Sequence, residues 1–169
     1  DVFATMDFRR TAENGSEKVF HMGTFNATPV TCAAGIEALR LVQNTDACAR
    51  THAYGNGLID GLNAMFAEQG SSWIAYGTYG GFHVFLNPEC IFTDRGRIEA
   101  GEHDAETLKA AVPAAVRLKL RIGMLLHGVD IQGWPGAPVS AAHSDDDREQ
   151  TIEAFRQTLR ALRAEGDLP

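Results

Sequence analysis

The sequence predicts an α+β fold in which a small antiparallel or mixed sheet is covered by helices. Three observations point to it. Apolar residues recur at the helical period in residues 29–43, 47–69 and 145–164. Between the second and third of these segments, two alternating stretches meet at a Gly-Gly pair, which is typical of a hairpin. The 169 residues are 44% hydrophobic, enough for a core of about one domain.

The first 28 residues predict a tail made of a short helical piece, a turn and a brief extended run. A helix is then expected from Pro29 to Gln43. Thr28 is a good N-cap, and Pro29 suits the first helical position, where its missing N–H has no cost. Cys32 falls inside this helix and is expected to be a small buried hydrophobe.

A second helix is expected to begin after Thr45 or Asp46 and to run to about Gln69, where Gly70 ends it. One face of this helix is apolar and is expected to enter the core: Tyr54, Leu58, Leu62, Met65 and Phe66.

The next segment predicts a hairpin followed by a loop. Trp73–Tyr79 and Phe82–Asn87 read as two strands joined at Gly80–Gly81. Pro88–Glu102 reads as a loop, after which Asp104 caps a helix.

The C-terminal part predicts two helices that flank two short strands. Pro113 restarts the helix that begins after Asp104, and its second part runs from Ala114 to His127. Val129–Ile131 and Val139–Ala142 are expected to be strands around a loop at Gly133–Pro138. The last helix, Asp145–Ala164, begins at a variant capping box of Ser144 and Asp147.

Charge and composition exclude several classes of partner. The net charge is −7, and the basic residues are scattered, so we expect no nucleic-acid ligand. No apolar run reaches the length of a membrane span. Cys32, Cys48 and Cys90 are odd in number and widely spaced, which favours a reducing cytoplasm.

The segment from His21 to Gly35, HMGTFNATPVTCAAG, is the strongest functional signal. Gly23 and Thr24 lie on a loop directly before a capped helix. Such a loop offers free backbone N–H groups and a hydroxyl, which suit a phosphate. On spacing alone, an ordinary capped helix after a turn remains the alternative.

The sequence of that segment resembles the His-Gly-Gly-Thr-Phe-x-x-Asn-Pro stretch of class-III, fold type I pyridoxal-phosphate aminotransferases. Within that class it most resembles the glutamate-1-semialdehyde aminomutase branch. Asp1–Arg10, DVFATMDFRR, resembles the helix after the cofactor lysine. Met124–Asp147, MLLHGVDIQGWPGAPVSAAHSDDD, resembles the closing pattern of the family. Met22 stands where the family has Gly, and Thr28 stands where it has Asn.

The resemblance implies the architecture and partners of a C-terminal fragment. Residues 1–28 would end the large domain and carry the phosphate loop, 29–69 would be linker helices, and 70–169 would be the small domain. A missing upstream part would hold the Schiff-base lysine. The whole protein would be a cytoplasmic homodimer that binds pyridoxal 5'-phosphate and a small amino substrate.

The resemblance also implies the site residues. Gly23 and Thr24 would lie at the dimer interface, with Thr24 binding the phosphate of the cofactor held by the neighbouring subunit. None of Lys18, Lys109 and Lys119 has the context of the family's lysine, so the fragment alone is predicted to be inactive. Glutamate-1-semialdehyde and ω- or β-amino acids remain alternative substrates.

Weaker signals favour structural roles. His21 would either shape the loop or be a simple turn residue, and His143 would hydrogen-bond the backbone before the last helix. Gly55–Gly61 imitates a dinucleotide loop but falls inside a helix. The acidic run Asp145–Asp147 is typical of the first turn of a helix, and we do not expect it to be a metal site. Trp134 belongs to a loop that, in the family, approaches the substrate entrance; an exposed packing aromatic is the alternative.

A function of a different class also fits the sequence. The chain could be a stand-alone, non-catalytic α+β module for binding or dimerisation. The mass of the source polypeptide separates the two hypotheses.

Overall fold

The computed structural model describes residues 2–15, 19, 23–110 and 113–168. The chain divides into two compact units, residues 1–44 and residues 45–169. Among the described residues, the elements form an α+β arrangement with one three-stranded antiparallel sheet, as the sequence predicts.

The first unit is helical. A 3₁₀ helix spans Val2–Met6, and α1 spans Phe8–Asn14. Asp7 caps α1 by accepting the N–H of Arg9, and Gly15 ends it with a left-handed φ of 62°. Helix α2 spans Pro29–Asn44, one residue longer than predicted.

Every residue of α2 is exposed. The expectation that Cys32 is buried is therefore wrong, since its thiol is exposed. Periodicity placed Cys32 on an apolar face, but no residue that the structure describes covers that face of the helix.

The second unit is built on α3, which spans Ala47–Glu68. Its apolar face is buried as predicted. At its C-terminus the N–H of Ser71 donates to the carbonyl of Phe66 at 2.9 Å, and that of Gly70 donates to Ala67 at 3.0 Å. With a φ of 61° at Gly70, this is a Schellman ending, and it confirms the predicted stop.

The sheet runs in the order β1-β2-β3, with β1 at Ile74–Tyr76, β2 at Gly81–Phe85 and β3 at Gly136–Pro138. The predicted hairpin is confirmed with shorter strands, since Ala75 pairs with Val84. The edge strand β1 is bound by Asn63 of α3. The side-chain amide of Asn63 donates to the carbonyl of Ala75 and accepts its N–H, both at 2.8 Å.

The strands and the loop predicted over residues 129–142 are not found as predicted. Residues 129–131 and 139–142 are not strands, and the expected loop at 133–138 contains β3. Phe82 pairs with Ala137. The backbone of Gly136, with a φ of 153°, comes so close to β2 that a Cβ there would overlap the carbonyl oxygen of Phe82. Glycine is therefore what permits this pairing.

The expected loop at 88–102 contains a short helix, α4, at Arg95–Glu99. Asp94 caps it by accepting the N–H of Arg97 at 3.0 Å. Arg95 holds it to α3 through Asp60 and Asn56, both at 2.8 Å. A helix of this length depends on such tertiary contacts, which periodicity does not reveal.

The remaining helices agree with the sequence. Helix α5 spans Ala105–Ala110, α6 spans Ala114–Leu126 and α7 spans Asp145–Ala164. The capping box of Ser144 and Asp147 at the start of α7 is present. Helices α3, α6 and α7 and the sheet enclose one core, which consists of Tyr54, Leu58, Ile59, Leu62, Met65, Phe66, Trp73, Ala75, Phe82, Val84, Leu86, Leu120, Met124, Ile131, Ala154, Phe155, Leu159 and Leu162. None of the described helices is long and apolar enough to cross a bilayer.

Candidate functional site

The bend before α2 consists of two overlapping turns. The carbonyl of Gly23 accepts the N–H of Asn26 at 3.1 Å, and the carbonyl of Phe25 accepts the N–H of Thr28 at 3.4 Å. Ala27 adopts a left-handed φ of 58°. The carbonyl of Thr28 then accepts the first helical N–H at 2.9 Å. The chain therefore enters α2 through a tight, locally bonded bend.

The hydrogen-bond donors of the bend at Thr24 and Phe25 are accessible. Gly23, Thr24 and Phe25 are exposed. Thr24 and Phe25 are the two central residues of the first turn, whose amides the turn itself leaves unbonded. Neither amide, nor the Thr24 hydroxyl, has a partner in the part of the chain that the structure describes. Two amides and a hydroxyl are thus available to an oxyanion.

Glycine at position 23 has a local steric reason. A Cβ there would lie 2.5 Å from Oδ1 of Asn26, so the asparagine side chain occupies the space of a side chain at residue 23. The predicted roles of His21 and Met22 concern residues outside the described ranges. Thr28 holds the N-cap position, with its hydroxyl 2.7 Å from that of Thr31.

A polar cavity lies in the second unit. It has a volume of about 230 Å³ and lies between the N-terminus of α7, the segment that follows α6, β3 and α3. His143 accepts the N–H of Ser140 on Nδ1 at 3.0 Å, as predicted. Its ring stacks on Tyr54 at 5.1 Å. Burial, followed by the charge of Asp147, raises the pKa of Tyr54.

The acids at the start of α7 act locally. Asp147 accepts the backbone N–H of Ser144 at 2.7 Å and its hydroxyl at 2.8 Å, and these bonds lower the pKa of the carboxyl. Asp145 lies 3.1 Å from Arg148. Both therefore stabilise the helix N-terminus, as predicted. Gly55–Gly61 is helical, within α3, which confirms that it is not a dinucleotide loop.

Trp134 is 45% exposed on the segment before β3. The guanidinium carbon of Arg117, on α6, lies 4.3 Å from the centroid of its indole ring. Arg117 belongs to no motif that points to a functional role. No sequence signal pairs it with Trp134, because the contact depends on how the segment at 132–135 folds over α6.

The chain is similar to known proteins in both sequence and fold. A glutamate-1-semialdehyde 2,1-aminomutase from Halobacterium salinarum is 30% identical over a 165-residue alignment. The alignment covers 83% of this chain and 35% of that protein. The corresponding enzyme from Thermoplasma acidophilum is 30% identical over 142 residues, covering 83% of this chain and 30% of that protein. The chain spans about a third of the length of these curated relatives.

Solved structures share the fold. A β-phenylalanine aminotransferase from Variovorax paradoxus matches with a TM-score of 0.69 and 24% identity, over 97% of this chain and 34% of that one. A transaminase with PLP bound matches with a TM-score of 0.66 and 22% identity, over 94% of this chain and 34% of that one. The resemblance to the class-III pyridoxal-phosphate enzymes is confirmed.

No family model matches the chain. The fold is that of the C-terminal region of these class-III enzymes.

The two described lysines, Lys109 and Lys119, have environments unlike that of an activated nucleophile. Lys18 lies outside the described residues, and Lys109 is exposed. Lys119 donates to Asp167 at 2.5 Å and to Glu165 at 2.9 Å. The hydrogen bonds to Asp167 and Glu165 raise the pKa of Lys119, whereas an activated amine needs a lowered pKa.

Proposed function

We propose that the chain is the C-terminal part of a cytoplasmic, homodimeric class-III enzyme that transfers or relocates an amino group with pyridoxal 5'-phosphate. The accessible bend at Gly23 and Thr24 supports this proposal best. Its unbonded donors lie at Thr24, for which the motif resemblance implies a phosphate contact, and at Phe25, which follows it. A phosphate dianion requires such donors, and the bend supplies two amides and one hydroxyl.

The residues of the bend would bind the cofactor phosphate and would not take part in the reaction itself. Thr24 would donate its hydroxyl and its amide to the phosphate of the cofactor held by the partner subunit. Gly23 would keep the approach free of side-chain bulk. The cofactor, when bound, supplies the electron sink of the reaction.

We also propose a division of labour along the chain. Residues 1–28 would close a large domain, 29–69 would be linker helices, and 70–169 would form the small domain. The compact units divide at 44 and 45, inside the proposed linker, so α3 packs in one core with the proposed small domain. Phe8, 65% exposed, is consistent with a missing large-domain neighbour.

Two substrate classes remain within the proposal. The sequence relatives are named as aminomutases of glutamate-1-semialdehyde. One structural neighbour is named as an aminotransferase of β-phenylalanine. Measuring the turnover of each substrate by the whole protein would distinguish the two classes.

The 169-residue chain alone is proposed to be inactive. The exposure of Lys109 and the ion pairs of Lys119 support this. Incubation with pyridoxal phosphate, borohydride reduction and mass spectrometry should give only partial labelling spread over several lysines. A stoichiometric adduct on one lysine, together with turnover, would contradict the proposal.

Cofactor retention by the whole protein tests the site. Thr24→Ala should weaken cofactor affinity about tenfold, since it removes one charge-assisted hydrogen bond. Thr78→Ala, at an exposed threonine in the hairpin turn, is the matched control. Visible absorbance after dialysis measures the bound fraction. Equal retention in both variants would remove the site assignment, and a native product of about the 18.3 kDa of this chain would favour a stand-alone module.

A further inference from the structure

Arg117 is a half-buried cation without a described counter-ion. Its Nε atom is buried and has no hydrogen-bond partner. No ion pair or hydrogen bond joins its guanidinium to any other residue that the structure describes. A half-buried charge with no partner is unfavourable in a folded protein, so the position indicates a ligand.

The surroundings of Arg117 form a small site. An open pocket of about 350 Å³ is lined by Ala114, Arg117, Leu118, Arg121, Gly133 and Trp134. Trp134 lies against the guanidinium at 4.3 Å. Such stacking uses the flat face of the group and leaves its two Nη groups, which are not buried as Nε is, for an oxyanion. Arg121 lies one turn further along α6 and lines the same pocket.

We propose that Arg117, Arg121 and Trp134 bind a small organic carboxylate. The planar fork of an arginine matches a carboxylate in a bidentate manner. Leu118 is 60% exposed and Trp134 45%, and they offer apolar surface to the carbon skeleton of such a ligand. This site lies in the second unit and does not depend on the proposed function.

One acid opposes the site. Asp130 lies 3.2 Å from the Nη2 atom of Arg121, so it competes with the ligand for that arginine and adds a negative charge nearby. Because the pair is exposed, it is weak and a ligand can displace it. Removing the carboxylate of Asp130 should therefore strengthen ligand binding.

The two tryptophans of the chain provide the readout. Each gives one indole N–H signal in an ¹⁵N correlation spectrum, and Trp134→Phe assigns them. Benzoate should shift the Trp134 signal in a saturable manner and leave that of Trp73, which is 4% exposed, unchanged. Benzamide, its neutral isostere, should not bind, and inorganic phosphate should bind at least threefold more weakly.

Three variants complete the test. Arg117→Gln should weaken benzoate binding at least tenfold, and Asp130→Asn should tighten it two- to fivefold. Arg50→Gln is the control, since Arg50 is an exposed arginine paired with Asp46 on α3. Equal binding to wild type and Arg117→Gln, binding of benzamide as tight as benzoate, or tighter binding of phosphate would each overturn the proposal. An Asp130→Asn variant with weaker binding would do the same.

Discussion

Gly123 on α6 packs directly against Thr158 on α7. A Cβ at residue 123 would overlap Cγ2 of Thr158 and lie 2.8 Å from its Oγ1. Thr158 is 1% exposed, and its hydroxyl has no hydrogen-bond partner in the described chain. The two helices therefore approach closely because one contributes no side chain at the contact.

Gly123→Ala should destabilise the protein by up to about 2 kcal/mol. Overpacking costs about 1–3 kcal/mol, and the better helix propensity of alanine offsets about 1 kcal/mol of it. Urea unfolding followed by circular dichroism measures the change. The double variant Gly123→Ala/Thr158→Ala should be less unstable than the sum of the two single variants, and strict additivity would contradict the contact.

Asn63→Ala should cost about 2–4 kcal/mol, because it leaves both backbone groups of the fully buried Ala75 without a partner. Asn56→Ala, on the same helix, removes a single acceptor from Arg95 and should cost less than about 1.5 kcal/mol. Thermal and urea unfolding of the two variants make the comparison. Similar losses in both would show that the Asn63 bonds contribute little.

Arg95→Ala should cost about 1–2 kcal/mol, since Arg95 joins Glu99, Asp60 and Asn56 and its side chain is 26% exposed. Hydrogen exchange of the α4 amides should rise with it. Arg50→Ala, which breaks one exposed pair with Asp46, should change the free energy of unfolding by less than about 0.5 kcal/mol. If the two variants are equally stable, the Arg95 network is not what holds α4.

Asp147→Asn should destabilise the protein at neutral pH but not in acid. Hydrogen bonds from Ser144 lower the pKa of the Asp147 carboxyl in the folded state. The resulting stability is complete above the ordinary carboxyl pKa of about 3.9 and is lost as the pH falls through the lowered value. The difference from wild type should therefore shrink below about pH 4. Asp146→Asn, at the next residue of the same first turn, should show a smaller difference at neutral pH.

The sequence predicts the elements that local signals define. Helix α7 begins and ends where its capping box and apolar period indicate, and α3 ends at Gly70. Strand β3 could not be predicted in this way, because Gly136–Pro138 has no alternating pattern and becomes a strand only by pairing with β2. Helix α4 likewise depends on a long-range contact made by Arg95.

The two candidate sites differ in the same respect. The bend at Gly23 and Thr24 is local, so a motif in consecutive residues predicts its position before α2 and its accessible donors. The stacking of Arg117 on Trp134 joins a helix to a distant segment. It has no counterpart in any consecutive stretch of sequence and requires the tertiary fold.

The way the sheet ends has a consequence for the purified protein. Exposed strand margins recruit strands from other molecules and seed aggregation. On one margin the amide of Asn63 already takes the outward-facing groups of Ala75. At the other edge of the sheet, Pro138 has no backbone N–H to donate to an incoming strand. Native molecules should therefore resist edge-to-edge polymerisation, and loss of the Asn63 amide should promote fibril growth as well as unfolding.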